Sequence, residues 1–553
     1  MTAVTPDDDR AGAPGDRGTV ATDTAPEAAP PPRPPDRARL LTPRVVATLL
    51  VDGTLAAVVA VVCVLYRVPP HPSDPLNYFD AATTFPSAPA YAAAHQLVRT
   101  GLIIPLRLAQ EVFGYSQTAY LLVPVLASLL LVMSVHALGT LLFNRFVGVA
   151  AAMLTLFNSV VFPDLTQPLP DLMATALLAA ALVLSVALRQ NRPWAAATGR
   201  RRVGTLILIG ALLGWSYLTR EYIVFCWPLM PLLLARRIPL RQQAWLLLPL
   251  AVVAVGETAL DTVVFHDPLI RLRGAADHGS VGTPTTDDYI GQSPRWYLTR
   301  LPTILSTTPE GLFLKAAMVA IVVGALFSRR IFFLLAWALL FYVPLVTLGG
   351  LIDPEAPKLR ILKERYWLPL VPALLLAAAG GLWLLLNNRI RAVPFLRART
   401  RLAAGVAGVA TLVVAAVPAG VAQHARAGNL ADPVNQTYAA NGGTQWEAFR
   451  SWLDAHAGEV HTIWADKRTI RPLGIYVRPP IGGPLWHGRL RVLPVRTRPA
   501  AGDHVVLYSA YSGVCVSCRV GEQRLLGRPV RPPANWHRVF GSHGRMVEVY
   551  EVR

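Results

Sequence analysis

Long apolar segments constrain this chain more than any other feature of its sequence. Runs with few charges, about 17–25 residues long, recur along it, and a helix of that length crosses ~30 Å of hydrocarbon. The mean hydropathy of +0.41 agrees with an integral membrane protein. The pattern predicts about eleven membrane spans. They lie near residues 45–66, 118–142, 146–163, 171–188, 203–219, 222–235, 244–264, 312–328, 331–352, 366–387 and 402–422.

Polar segments flank this membrane body at both ends. Residues 1–44 are rich in Pro, Ala, Asp and Arg and have no apolar run, which predicts a disordered cytoplasmic tail. From about residue 423 the chain alternates apolar and polar residues between turn signals, which predicts a small α/β or β-rich domain over 423–553. The predicted fold class is a polytopic α-helical membrane domain over 45–422, followed by a small C-terminal extracytoplasmic α/β domain.

Arginine clusters predict the orientation of the spans. If the N-terminus is cytoplasmic, four clusters between apolar segments all fall on the cytoplasmic side, as the positive-inside rule expects. Because the cations lie in these short loops, the net charge of +19 does not predict nucleic acid as a partner. The clusters are Arg189, Arg192, Arg200, Arg201 and Arg202; Arg236, Arg237 and Arg241; Arg329 and Arg330; and Arg389, Arg391, Arg397, Arg399 and Arg401.

Possible metal and thiol chemistry is confined to the predicted outer side. Cys515 and Cys518 form a single C-x-x-C, which in an oxidising compartment favours a local disulfide over free thiols. A structural zinc site would need a second such pair. One outer loop is rich in His and Asp but lacks tight ligand spacing, so a divalent metal is the less favoured reading and no cofactor is predicted. That loop carries His266, Asp267, His278, Asp287 and Asp288.

Acidic residues stand at the outer ends of two predicted spans. The first loop opens with S-D-P-L-N-Y-F-D over residues 73–80, and the second loop ends with L-P-D, placing Asp171 at the start of the fourth span. A carboxylate this close to the bilayer is costly unless it faces a polar cavity. The alternative for Asp74 and for Asp171 is helix capping, since Ser-Asp-Pro and Pro-Asp suit helix starts.

Cations and aromatic residues stand on the same predicted face. The fifth span ends in T-R-E-Y over residues 219–222, and the tenth begins after a charged loop with the sequence K-L-R-I-L-K-E-R-Y. Arg360 and Arg365 in that loop either meet a substrate anion or anchor the span at lipid headgroups.

These motifs together resemble the GT-C superfamily of lipid-linked glycosyltransferases. The motifs are the juxtamembrane D-P-L-N-Y-F-D-A-A, the P-D that opens the fourth span, and R-Y-x-L-P-L-x-P over residues 365–372. The nearest branch is that of bacterial relatives of protein O-mannosyltransferases and lipid A aminoarabinose transferases. The likeness of layout covers about residues 45–422. The family commonly has an acidic pair in the first loop. Here Pro75 follows Asp74, so the catalytic position falls on Asp74 or Asp80, and Asp74 lies nearer the bilayer.

The resemblance implies a polyprenyl-phosphate sugar as donor and an extracytoplasmic glycan, lipid or protein as acceptor, with membrane lipids around the chain. A carboxylate would act as general base, and cations would meet the leaving phosphate. Asp74, Asp80 and Asp171 are the catalytic candidates. The substrate-binding candidates are Arg220, Glu221, Tyr222, Lys358, Arg360, Lys363, Arg365 and Tyr366.

Two other functions stay open from the sequence. One is a polytopic transporter or flippase, although the charges lie at one surface and no repeat is evident. The other is a non-catalytic cell-envelope assembly protein.

Overall fold

The computed structural model describes most of the chain from Pro43 onward. The residues that the structure does not describe are 1–42, 71–72, 88–93, 197–198, 281–289, 360, 392–402, 404–442, 479–485, 494–497 and 511–514. The chain divides into two compact units, residues 1–51 and 52–553, and the described part of the first is the start of helix Pro43–Leu65. The predicted tail and the eleventh predicted span fall almost wholly outside the described residues.

Seven described helices are long and apolar enough to cross a membrane. They are Val46–Leu65, Gln117–Leu142, Pro170–Arg189, Gly199–Thr219, Leu240–Phe265, Arg329–Leu351 and Glu364–Asn387. Three shorter apolar helices, Arg145–Leu156, Glu221–Leu234 and Gly311–Phe327, also coincide with predicted spans. The polytopic helical fold is therefore confirmed, while the count of eleven spans stays a prediction.

Two predicted spans differ from the structure. The third was expected to run to residue 163, but its helix ends at Leu156. Beyond it, Asn158 Oδ1 accepts the Val160 amide and Glu310 Oε1 accepts the Ser159 amide, so side chains replace helical backbone partners. The sixth span is split into a 3₁₀ helix, Glu221–Cys226, and a short α-helix, Leu229–Leu234, because prolines within it lack the amide hydrogen that a continuous helix needs.

The first loop, predicted over residues 67–117, contains helices Asp74–Thr84, Ala94–Leu97 and Thr100–Phe113. We call Asp74–Thr84 the first-loop helix. It buries Leu76 and Phe79 among the residues of Thr100–Phe113, and Gln110 Nε2 donates to the Phe79 carbonyl at 2.7 Å. The same core cluster holds residues of the C-terminal domain, so the first-loop helix lies between membrane helices and that domain.

The C-terminal domain, the described residues from 443 onward, is a mixed sheet with helices. Its strands are β1 Thr462–Ala465, β2 Arg489–Val492, β3 His504–Tyr508, β4 Trp536–Gly541 and β5 Val547–Val552. They lie in the order β2-β1-β3-β5-β4, with parallel pairs β1–β2 and β1–β3 and antiparallel pairs β3–β5 and β4–β5. Helices Gly443–Ala455, Ile470–Tyr476 and Val516–Leu526 accompany the sheet. The small α/β domain predicted from alternation is present.

The disulfide predicted for the C-x-x-C is also present. It joins Cys515 to Cys518 where helix Val516–Leu526 begins, and both residues are buried in the core of the domain. A short buried bridge of this kind indicates a structural role within the sheet domain.

Candidate active site

A small polar cavity forms where four distant chain segments meet. The first loop, the start of helix Pro170–Arg189, the end of helix Gly199–Thr219 and the start of span Glu364–Asn387 all contribute to its wall. The sequence predicted that these segments share one face of the membrane body, and the cavity brings them together. Its lining residues are Asp74, Tyr78, His95, Arg99, Leu169, Pro170, Asp171, Arg220, Arg365 and Tyr366.

Asp74 reaches this cavity from the first turn of the first-loop helix. The preceding residue, Ser73, occupies the N-cap position and makes no side-chain capping hydrogen bond. Instead Asp74 Oδ2 accepts from Arg365 Nη2 at 2.5 Å, and Oδ1 accepts from Gln96 Nε2 at 3.3 Å. The side chain keeps 39% of its surface exposed, which leaves the carboxylate open to a substrate.

Neighbouring cations control the protonation of Asp74. Desolvation in the cavity raises the pKa of the carboxyl, but Arg365, Lys363 and Arg99 outweigh it, so the pKa lies below its usual range. Asp74 is therefore a carboxylate at neutral pH. As long as Arg365 pairs with it, Asp74 is also a weak base.

Asp171 is a buried residue of the cavity wall. It is the second residue of helix Pro170–Arg189, whose N-cap residue Leu169 has no side-chain cap. The Tyr222 hydroxyl donates to Asp171 Oδ1 at 2.6 Å, and Arg220 Nε lies 3.0 Å from the same oxygen. The carboxylate thus orients a tyrosine and an arginine rather than capping its helix.

Three arginines converge on the cavity, and one of them was not predicted. Arg220 and Arg365 were expected from the sequence, whereas Arg99, in the first loop, belongs to none of the recognised motifs. Arg99 Nε, Arg99 Nη2 and Arg365 Nε are buried without a hydrogen-bond partner among the described residues. A buried donor left unpaired costs about 1–3 kcal/mol, so these nitrogens favour an anionic ligand.

Aromatic faces hold the arginines in place. The Arg220 guanidinium lies 4.8 Å from the ring centroid of Tyr222 and 5.5 Å from that of Tyr366, and Arg365 lies 5.4 Å from Tyr366. Cation–π contacts of this kind fix a guanidinium while leaving its edge free to donate hydrogen bonds. Tyr222 and Tyr366, both predicted as substrate-binding residues, therefore act here on the arginines.

The remaining predicted substrate-binding residues are not among those that line the cavity. Glu221 is an ion-pair partner of Arg99 at 3.6 Å and of Arg220 at 3.8 Å. Lys363 is exposed, and its charge acts on Asp74. Lys358 is exposed and does not line the cavity, and Arg360 lies outside the described residues.

Asp80 is not among the residues that line the cavity. Its carboxylate pairs with Arg471 of the C-terminal domain and accepts from the Tyr115 hydroxyl at 2.5 Å. Burial raises the pKa of Asp80, and the contacts with Arg471 and Tyr115 oppose that rise. The structure therefore distinguishes the two first-loop carboxylates, since only Asp74 faces the arginines.

The predicted site residues did not include Asp164, a buried carboxylate close to the cavity. Asp164 lies in the second loop, and burial raises its pKa to about 7, with the charge of Arg365 opposing and that of Asp171 adding to the rise. Its position in a P-D dipeptide was visible in the sequence, but nothing there indicated burial.

The described residues contain no group of three His, Cys, Asp or Glu arranged for a metal ion. Within the His/Asp-rich loop, Asp267 pairs with Arg273 at 3.1 Å. The other acidic members of that loop, Asp287 and Asp288, and the side chain of His278 lie outside the described residues.

The chain is similar to known membrane proteins in part of its sequence and in its fold. Residues 104–257 match a family model described as dolichyl-phosphate-mannose-protein mannosyltransferase. Among solved structures, ArnT from Cupriavidus metallidurans bound to undecaprenyl phosphate is 13% identical, covers 91% of this chain and 98% of its own, and has a TM-score of 0.50. The apo state of that protein is 12% identical over 92% and 98%, with a TM-score of 0.48.

A third solved structure is the oligosaccharyltransferase AglB from Archaeoglobus fulgidus, in complex with an inhibitory peptide and a dolichol-phosphate. It is 13% identical, covers 76% of this chain and 63% of its own, and has a TM-score of 0.41. No curated protein matches the chain. The family match over residues 104–257 and the fold of ArnT confirm the resemblance predicted from the motifs, and the chain is a polytopic membrane protein with the same fold as ArnT.

Proposed function

We propose that this protein transfers a sugar from a polyprenyl-phosphate donor to an acceptor on the extracytoplasmic side, with inversion at the anomeric carbon. One observation carries the proposal: a partly exposed carboxylate, Asp74, shares a cavity with three arginines, two of which, Arg99 and Arg365, have buried donors without a hydrogen-bond partner among the described residues. The undecaprenyl phosphate bound to ArnT, which has the same fold, supports a lipid phosphate as the anion.

The arginines would hold the donor phosphate. Guanidinium donors form charge-assisted hydrogen bonds to phosphate oxygens, which are about twice as strong as neutral ones. The lipid tail keeps the phosphate at the membrane surface, the level at which Arg220 and Arg365 lie near the ends of their spans. The departing polyprenyl phosphate is a stable anion, so its release requires cations and no general acid.

Asp74 would serve as the general base for the acceptor hydroxyl. In the structure Arg365 pairs with Asp74 and weakens it as a base. A donor phosphate competes for Arg365, so donor binding releases the carboxylate and lets its pKa rise. Proton transfer then accompanies a single displacement, which inverts the configuration. Asp171 would orient Arg220 and Tyr222 during the step.

The same proposal includes the sidedness of the protein. With the N-terminus cytoplasmic, reporter fusions after Asn191 and after residue 440 should report opposite sides of the membrane, and a fusion after Arg330 should match the first. Fusions after 191 and 440 that report the same side would contradict an extracytoplasmic site.

A donor panel tests the function itself. Purified protein in lipid nanodiscs should release free polyprenyl phosphate from at least one polyprenyl-phosphate hexose or pentose, and release should be faster with acceptor. A transporter would instead move the intact lipid-linked sugar across vesicle membranes. Translocation without cleavage for every donor would overturn the proposal in favour of a flippase.

A further inference from the structure

We infer that Arg471, in the C-terminal domain, is a positioning residue that holds the first-loop helix and thereby places Asp74 in the active site. The inference rests on the proposed function for the role of Asp74. Under this inference the C-terminal domain helps to position a residue of the active site.

Arg471 makes its contacts with two residues of the first-loop helix. Its Nε and Nη2 atoms contact Asp80 Oδ2, and Nη2 also donates to Asn77 Oδ1 at 2.9 Å. Asn77 and Asp80 are three residues apart and so lie on neighbouring positions of one helix face. The arginine side chain is 17% exposed and that of Asp80 is 14% exposed, so water screens the pair only weakly.

The C-terminal domain also fixes the chain immediately before this helix. The Tyr476 hydroxyl, on the same short helix as Arg471, donates to the Pro70 carbonyl at 2.5 Å. Asp74 therefore lies between two points held by helix Ile470–Tyr476. Tyr115 adds a third contact, since its hydroxyl donates to Asp80 and lies 3.3 Å from the Arg471 carbonyl oxygen.

These contacts define what Asp80 does. Its carboxylate oxygens accept from Tyr115 and Arg471, and the side chain is outside the cavity lining. Asp80 thus anchors the first-loop helix to the C-terminal domain. Because a helix transmits displacement along its axis, an anchor six residues from Asp74, about 9 Å along that axis, fixes the position of Asp74.

The expected consequence is kinetic. A displacement of about 1 Å of a reacting group costs up to ~10²-fold in rate, whereas phosphate binding by the arginines does not depend on the helix position to the same degree. Loss of the Arg471 contacts should lower kcat and leave the donor KM nearly unchanged.

Three variants of the full-length protein test this. We expect Arg471→Ala to lower kcat for polyprenyl-phosphate release about 10- to 100-fold, with Arg471→Lys intermediate because it keeps the charge but not the fork of donors. The double variant Asp80→Asn with Arg471→Met removes both charges, so no unpaired buried charge remains. It should show the same loss of kcat at an unchanged melting temperature. Arg489→Ala, at an exposed position on β2, is the matched control and should behave as wild type.

Hydrogen–deuterium exchange provides a readout that does not need activity. Amides of residues 74–84 should exchange at least tenfold faster in Arg471→Ala and in the double variant, while those of helix Gly199–Thr219 stay unchanged. Wild-type exchange over residues 74–84 in the folded double variant would overturn the inference. Failure of wild-type protein to cleave any donor would instead count against the proposed function, and the exchange result would still test the positioning role.

Discussion

Asp74→Asn should lower turnover about 10²–10⁴-fold, because removal of a general base typically costs that much. The amide keeps the size of the carboxylate and still accepts a hydrogen bond from Arg365, but it does not take up a proton. Donor binding should be unimpaired, since the arginines remain. The measurement is polyprenyl-phosphate release per folded molecule, with donor affinity determined on the same preparation.

The alternative role for Asp74 predicts a different result. If the side chain stabilised only the start of the first-loop helix, the variant would lose about 0.5–2 kcal/mol of stability and keep nearly normal turnover per folded molecule. Asp353→Asn is a suitable control, since it removes an exposed carboxylate that is not among the residues lining the cavity. Near-normal turnover in Asp74→Asn would contradict the assignment of Asp74 as the general base.

Arg365→Ala should weaken donor binding about 10- to 100-fold. Charge-assisted hydrogen bonds to an anion contribute roughly 1.5–3 kcal/mol, which corresponds to that range of affinity. The variant also leaves Asp74 without its closest cation, and the remaining negative charge repels the donor phosphate. Titration with polyprenyl phosphate alone measures the loss directly, and Arg295→Ala, an exposed cation outside the cavity, should leave affinity unchanged.

The same variant has a predicted pH dependence. Arg365 helps to hold the pKa of Asp74 below its usual range, so its removal lets desolvation raise that pKa. The base acts as a carboxylate, and activity falls as pH drops through its pKa. The acidic limb of kcat/KM against pH should therefore move to higher pH in Arg365→Ala. A limb that does not move, together with unchanged donor affinity, would favour the headgroup-anchor role for Arg365.

Much of the candidate site could be predicted because it lies at the ends of membrane spans. Charged residues there are costly unless they face a cavity, so Asp74, Asp171, Arg220 and Arg365 were conspicuous in an otherwise apolar sequence. The arginine clusters then placed all four on one face. The structure brings them into one cavity.

The parts that could not be predicted depend on tertiary packing. Arg99 lies in a loop without a recognisable motif, and only the fold shows that its guanidinium is buried. The pair of Asp80 and Arg471 joins residues 391 positions apart, a separation at which one sequence carries no pairing signal. Ser-Asp-Pro marked Asp74 as a candidate helix start, but the two helices that follow in the first loop, Ala94–Leu97 and Thr100–Phe113, were not predicted.

A single-turnover experiment tests the central claim most directly. Wild-type protein and Asp74→Asn, each saturated with a donor from the panel and mixed with acceptor, are compared for the first-order rate of polyprenyl-phosphate release. The proposed mechanism predicts rapid release by the wild type, a product of inverted anomeric configuration, and a rate at least ~10²-fold lower in the variant. Equal rates for the two proteins, or retention of configuration, would contradict it.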